Sequence, residues 1–183
     1  MKIAITGHRH GIGASFAKQL GRRGHDIVGI SRSDGENIRR IEHTARLIEP
    51  CDMFINNAQS MFAQTELLYA VWEKWKGQNK YIWNISTMMT EAPTNSTPDG
   101  HSDIAMSQYR TQKLALEQAS RQLSAKSSWP TMSIIRPGKV DTQGKGGAPV
   151  DTWVRRVLNS FTQDENIHIS EISISHADKS IPL

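Results

Sequence analysis

The stretch Lys2-Ile3-Ala4-Ile5-Thr6-Gly7-His8-Arg9-His10-Gly11-Ile12-Gly13 changes character twice. Residues 2 to 6 form a short, mostly apolar run ended by Gly7, which predicts a buried strand. From Ile12 to about Arg23 the period turns helical: Ile12, Phe16 and Leu20 recur on one face, and Gly24 stops the pattern. Gly7, Gly11 and Gly13 lie at the junction. A backbone without Cβ can turn tightly and approach an anion closely, and the first turn of a helix offers unpaired N–H groups. The physical expectation is a loop that cradles a pyrophosphate, with Gly7, Arg9, His10, Gly11, Ile12 and Gly13 as candidate contacts.

The pattern repeats outward from this unit. Asp26 to Ser31, Asp52 to Asn56, Lys80 to Ser86, Thr131 to Arg136 and Ile167 to Ile174 read as further strands. Between them, Glu36 to Ile48, Phe62 to Lys76, Ser107 to Lys126 and Val150 to Phe161 carry helical spacing. Strands alternating with helices predict an α/β fold: a Rossmann-like, doubly wound parallel sheet of about six strands. No linker divides residues 1–183, so one domain is expected. The segment from Arg32 to Asn57 is too short for a complete extra unit, so one edge strand-helix unit is reduced or missing. Thr90 to Ser107 and Lys139 to Ala148 read as polar loops.

Where an acidic residue would hold the ribose hydroxyls of NAD, at the end of the second strand, stand Ser31 and Arg32. Arginine suits a 2′-phosphate, and Arg9 adds a second cation, so NADP(H) is the expected cofactor. His8 and His10 have no accompanying Cys or carboxylate cluster, and no metal site is expected.

Tyr109 and Lys113 stand four apart on the fourth helical segment and share a face. An ammonium beside a tyrosine favours the phenolate, and such a tyrosine can deliver a proton to a carbonyl oxygen. With this pair the motifs line up in order: Thr6-Gly7 with Gly11-Ile12-Gly13, Asn56-Asn57-Ala58, Asn84-Ile85-Ser86-Thr87, Tyr109 with Lys113, and Arg136-Pro137-Gly138-Lys139-Val140-Asp141-Thr142. The chain resembles a short-chain dehydrogenase/reductase, over nearly its whole length. The resemblance implies an NADPH-dependent oxidoreductase that reduces a ketone or aldehyde to an alcohol, with Tyr109 as general acid and Lys113 beside it. It implies cofactor contacts at Asn57, Ala58, Tyr109, Lys113, Pro137, Gly138, Val140 and Thr142. The hydroxyl that orients the substrate falls on Thr87 by position, with Ser86 as the alternative, which strand alternation turns to the other side. It also implies a homo-oligomer, dimer or tetramer. Trp72 and Trp75, with Met88 and Met89, either form its apolar surface or fill the core.

The chain departs from the family pattern in places. Gln59 stands where glycine usually follows Asn-Asn-Ala, implying a shifted backbone or a side chain over the adenosine. No counterpart of the family's relay asparagine is evident, so proton supply would depend on water reaching Lys113. These departures suit a second reading, an NADP(H)-binding regulator or redox sensor with little turnover. Thr87 suits a third, a nucleotide-sugar reductase or epimerase.

Composition narrows the remaining classes. The formal charge of +4 comes from 22 basic residues scattered among 18 acidic ones, without a basic stripe interleaved with aromatics, so no nucleic-acid partner is expected. No apolar run is long enough to span a bilayer, and no signal peptide is recognisable. Cys51 is the single cysteine, which excludes an intrachain disulfide and predicts a reducing, cytoplasmic setting.

Overall fold

In a computed structural model, which describes residues 1–91, 103–144, 146–161 and 167–176, strands and helices alternate almost without exception. The order begins β1 (Lys2–Thr6), α1 (Gly11–Arg22), β2 (Asp26–Ile30), α2 (Ile41–Ile48), β3 (Met53–Asn56), α3 (Ala63–Trp75) and β4 (Tyr81–Ile85). It continues with α4 (Asp103–Lys126), β5 (Thr131–Pro137), β6 (Val140–Asp141), β7 (Ala148–Pro149), α5 (Val150–Phe161) and β8 (Glu171–Ile174). Short 3-10 turns at Arg32–Asp34 and Met88–Thr90 follow β2 and β4.

Six strands form one parallel sheet in the order β2-β1-β3-β4-β5-β8. After β2 the chain crosses β1 and continues on the other side, so the order in which strands are added reverses between β1 and β3. The crevice at such a reversal, beyond the carboxyl ends of the strands, is where this class of sheet binds ligands. Strand β2 is the sheet edge, in agreement with the missing unit expected from sequence. The chain returns to β3 through the short helix α2, of 8 residues.

Alternation along the strands sends side chains to two cores. Ile3, Ile5, Ile55, Trp83 and Ile85 pack with Phe16 and Leu20 of α1 and Trp153, Val154 and Val157 of α5. Ala4, Phe54 and Ile82 pack on the opposite face with Leu67, Leu68, Val71, Trp72 and Trp75 of α3 and Leu116 and Leu123 of α4. Both tryptophans of α3 therefore fill the core, because α3 is flanked by α2 and α4; they form no apolar surface.

The remaining differences from expectation are local. Helix α4 starts at Asp103, earlier than Ser107, and β8 is confined to Glu171–Ile174. The expected loop from Thr90 extends through residues 92–102, which lie outside the described residues. The glycine-bearing segment after Lys139 is pinned at its neck, where β6 pairs with β7 and the Ala148 N–H donates to the Lys139 carbonyl at 2.9 Å. Among the described residues no helix is long and apolar enough to cross a membrane.

Candidate active site

The glycine loop is built by contact as well as by torsion. Gly7 and Gly11 hold left-handed φ values of 71° and 54°, which side chains with a Cβ rarely adopt. Gly13 has an ordinary helical backbone, but a methyl there would overlap the Gly7 carbonyl oxygen and lie 2.7 Å from Asn57 Nδ2. Asn57 buttresses this loop: its Nδ2 donates to the Thr6 carbonyl at 2.9 Å. The Thr6 hydroxyl oxygen accepts from the N–H groups of Asn57 and Ala58 at 2.9 and 3.0 Å. The Asn-Asn-Ala segment and the glycine loop are thus one construction. Thr142 completes it from the distant C-terminal side, since a Cβ on Gly11 would meet the Thr142 side chain at 3.2 Å.

Beside this loop the charges differ from the expected pair of free cations. Arg9 Nε donates to both Asp34 carboxylate oxygens at 2.9 and 3.1 Å, and His8 Nε2 lies 3.4 Å from the same carboxylate. Asp34 is held below the usual carboxylate range by the Arg9 hydrogen bond. Arg9 is therefore neutralised by a carboxylate that tertiary folding brings to it, while Arg32 is exposed at the start of the same turn. The His8 ring lies over Gly29 of β2, where a Cβ would clash with the ring, most closely at Nε2. Among the described residues no group of three His, Cys, Asp or Glu side chains is placed to hold a metal ion.

Lys113 projects from the middle of α4 into the sheet and is 3% exposed. Its Nζ donates to Gln64 Oε1 at 2.9 Å and to the Ile85 carbonyl at 2.8 Å, using two of its three N–H donors. Gln64, near the start of α3, is itself fixed by bonds from its Nε2 to the Asn56 and Ile85 carbonyls at 2.7 and 3.1 Å. A polar side chain on α3 thus contacts Lys113 directly. No local signal marks Gln64: it is a glutamine at the helix start, buried by packing that its sequence neighbours do not reveal.

Burial lowers Lys113 to about 7, opposed by the charge of Glu117. Tyr109 goes the other way: burial raises its hydroxyl above the usual value, and a hydrogen bond with Thr87 offsets part of that rise. The expected lowering by a neighbouring ammonium is overridden. Lys113 Nζ sits 5.7 Å from the centre of the Tyr109 ring, and it is burial, opposed by Thr87, that sets the direction. Lys113 carries a pH prediction. Its proton is held less tightly in the folded chain than in the unfolded one, so between about pH 7 and its ordinary 10.5 the unfolded chain binds more protons and stability rises with pH. The difference in unfolding free energy between wild type and Lys113→Met should grow by roughly 3 kcal/mol from pH 7 to pH 10. A difference that stays flat in urea titrations would refute the depressed value.

The two candidate hydroxyls face different partners. Thr87 lies on the Tyr109 side, where its hydroxyl lowers the pKa of the Tyr109 hydroxyl. Ser86 Oγ instead donates to Glu117 Oε1 at 2.5 Å in a buried environment, two helical turns beyond Tyr109 on α4. Gln59 keeps a negative φ and reaches across to hydrogen-bond Gln112, the neighbour of Lys113, on α4. Pro137 ends β5, and Gly138 is tightly placed, a Cβ there meeting Met88 Sδ at 3.0 Å and Ser175 Oγ at 2.7 Å. Val140 lies in β6 and packs against the core on the α1 side.

Glu117, which accepts from the Ser86 hydroxyl and from Arg136, is not among the residues expected from sequence. Tyr109, Lys113, Glu117 and Arg121 recur every fourth residue along α4, and extending the Tyr-Lys spacing along the helix would have found the carboxylate.

No protein-family model and no curated protein matches the sequence. Solved structures match over most of the chain. An alcohol dehydrogenase from the archaeon Thermococcus sibiricus, complexed with 5-hydroxy-NADP, superposes with a TM-score of 0.76 and 18% identity, covering 96% of each chain. A short-chain dehydrogenase from Sphingobium yanoikuyae in complex with NADPH gives 0.67 and 20%, covering 94% of this chain and 86% of the other. A bulky-bulky ketone specific alcohol dehydrogenase from Comamonas testosteroni gives 0.69 and 20%, with coverage of 94% and 85%. The chain has the fold of the short-chain dehydrogenases.

Proposed function

We propose that this chain is an NADPH-dependent short-chain dehydrogenase/reductase that reduces a ketone or aldehyde to an alcohol. The observation that carries the reading is the cluster at the carboxyl ends of β4 and β5: Thr87 beside Tyr109, with buried Lys113 one helical turn further on, its Nζ 5.7 Å from the Tyr109 ring centre. The fold neighbours crystallised with NADP, NADPH or an NADP analogue, and those described as ketone-specific, support it.

The residues fit the cofactor. Gly7, Gly11 and Gly13, with Arg9, His10 and Ile12, would hold the pyrophosphate on the first turn of α1. Ser31 and Arg32 would face the 2′-phosphate, and Asp34 would have to yield Arg9 for that cation to join them. Asn57 and Ala58 would support the adenosine side, Lys113 the ribose, and Pro137, Gly138, Val140 and Thr142 the nicotinamide end. When bound, the dinucleotide supplies the hydride. Thr87 orients the carbonyl oxygen, and Tyr109, its pKa raised by burial, holds the proton that the oxygen receives. Lys113 remains fixed by Gln64 and the Ile85 carbonyl. The contact of Gln64 with Lys113 favours this reading over a cofactor-binding regulator without turnover.

The test is NADPH consumption against a panel of ketones, aldehydes and quinones, alongside direct binding of NADPH and NADH. Turnover with at least one carbonyl is expected, and Arg32→Ala should weaken NADPH about 10-fold while leaving NADH within twofold. Tight NADPH binding with no turnover on any carbonyl would refute the reductase. Equal losses for both dinucleotides would refute the role of Arg32.

The chain is also proposed to act as a homo-oligomer in the cytoplasm. Exposed apolar side chains lie on α3 and α4, with Ile104 74%, Leu114 43% and Tyr69 42% exposed, and they take the place of the tryptophans as the candidate surface. A monomer in sedimentation experiments would exclude this.

A further inference from the structure

Glu117 is buried between three parts of the site. Its Oε1 accepts from Ser86 Oγ at 2.5 Å, from Thr90 Oγ1 at 2.8 Å and from Arg136 Nε at 2.9 Å. Its Oε2 accepts from Arg136 Nη2 at 2.7 Å and from Arg121 Nη2 at 3.2 Å. Burial by itself would raise this carboxyl; the Arg136 guanidinium and the two hydroxyls overcome that and hold it ionised.

The two hydroxyl donors flank Thr87 on either side. The single Thr90 hydroxyl proton is shared between Glu117 Oε1 and the Thr87 carbonyl, each 2.8 Å away, and the Thr87 hydroxyl oxygen accepts from the Met89 N–H at 3.3 Å. Both ends of the turn bearing Thr87 are thus tied to one carboxylate oxygen. That carboxylate sits one helical turn beyond Lys113, on the helix that also carries Tyr109. Its main counter-charge, Arg136, directly precedes Pro137 and Gly138. Arg136 is held from the other side by Glu171 of β8, at 2.6 Å. A buried ion pair adds little net stability, because desolvation offsets most of its attraction. Geometry is the more direct consequence: the turn, the Tyr-Lys helix and the β5 end share a single anchor.

We propose that Glu117 is a positioning residue, a clasp that closes on Ser86 and Thr90 and so sets the Thr87 hydroxyl against Tyr109. The proposal rests on the reading of Thr87 and Tyr109 given above. It is tested with the double variant Ser86→Ala/Thr90→Val, which removes the clasp's donors while leaving Glu117 and Arg136 paired, and with Glu117→Gln as a second variant.

In the double variant kcat should fall about 10-fold, a loss typical of small misplacement of a reacting group, with the NADPH Kd unchanged within twofold. Amide exchange at Met89 and Thr90 should accelerate about 10-fold as the turn loosens. In a Thr87→Ala background the same double substitution should cost no further kcat, because the clasp acts through Thr87. Glu117→Gln, which keeps an acceptor oxygen but loses the charge, should show the same pattern at smaller amplitude. Unchanged kcat in the double variant, or losses that multiply in the Thr87→Ala background, would overturn the proposal. If Thr87→Ala retains full kcat, or the wild type turns over nothing, the reductase reading fails instead. Exchange then still decides the clasp: unaltered rates at Met89 and Thr90 would remove it.

Discussion

Tyr109→Phe should lower kcat for carbonyl reduction about 1000-fold, within the range a positioned general acid supplies, while NADPH binds within threefold of wild type. Only one oxygen is deleted, and the ring can keep its place because no clash is introduced. Lys113 is held by Gln64 and the Ile85 carbonyl, bonds that do not involve the Tyr109 oxygen, so the ribose side of the site should survive. What disappears is the proton store. Burial raises the Tyr109 hydroxyl, so at neutral pH it is protonated and suited to donating. The Thr87 hydroxyl remains, but a threonine is far too weak an acid to replace a phenol. Rates from NADPH absorbance and affinities from NADPH fluorescence separate the two effects. Equal activity in the variant would place the proton donor elsewhere.

Gly13→Ala opposes two effects within one helix. Alanine is about 1 kcal/mol better than glycine in a helix interior, so propensity alone predicts a more stable protein. The structure predicts the reverse. The added methyl overlaps the Gly7 carbonyl oxygen, which is backbone, and presses on Asn57 Nδ2 at 2.7 Å. Neither can retreat cheaply, since Asn57 is bonded to Thr6 and Gly7 is fixed to the Ile30 carbonyl at 2.8 Å. A loss of about 3 kcal/mol is expected, at the upper end of overpacking costs. NADPH affinity should fall at least about 100-fold as the loop is forced open. Gly21→Ala on the same helix is the control: its methyl would meet only Ile27 Cγ1, at 3.8 Å, so it should stabilise by up to about 1 kcal/mol. Urea midpoints of the two variants should move in opposite directions. A stabilised Gly13→Ala would show that the loop has room the structure does not display.

Much of the fold was legible because its signals are local. The apolar runs around Ile5, Phe54 and Ile82 and the helical spacing of Ile12, Phe16 and Leu20 lie within a few residues of one another, and chain connectivity then limits the topology. The boundaries of α5 needed no adjustment at all. Those of α2 did, because the residues before Ile41 carry the right period but form turns, with Thr44 Oγ1 donating to the Asn37 carbonyl at 3.3 Å. Periodicity reports which face is apolar; it does not report where competing side-chain bonds unwind a helix end.

The site divides along the same line. The glycines at 7, 11 and 13 and the pair Tyr109 and Lys113 were readable because each motif is complete within one turn or one loop. The state of that pair was not. Its lysine is depressed to about 7 and its tyrosine raised because α3 and α4 bury them together, and desolvation is a property of the packed interior. Arg9 read as a free cation because Asp34 lies 25 residues away in sequence. Gln64 meets Lys113 across 49 residues, and Glu117 meets Ser86 across 31. The amino-acid sequence by itself determined the sheet, the glycine loop and the presence of a tyrosine-lysine pair. Tertiary structure alone decided which side chain holds the lysine, which hydroxyls meet Glu117 and which charges are cancelled. Hydrogen bonds and desolvation act through space, and only the folded chain sets those distances.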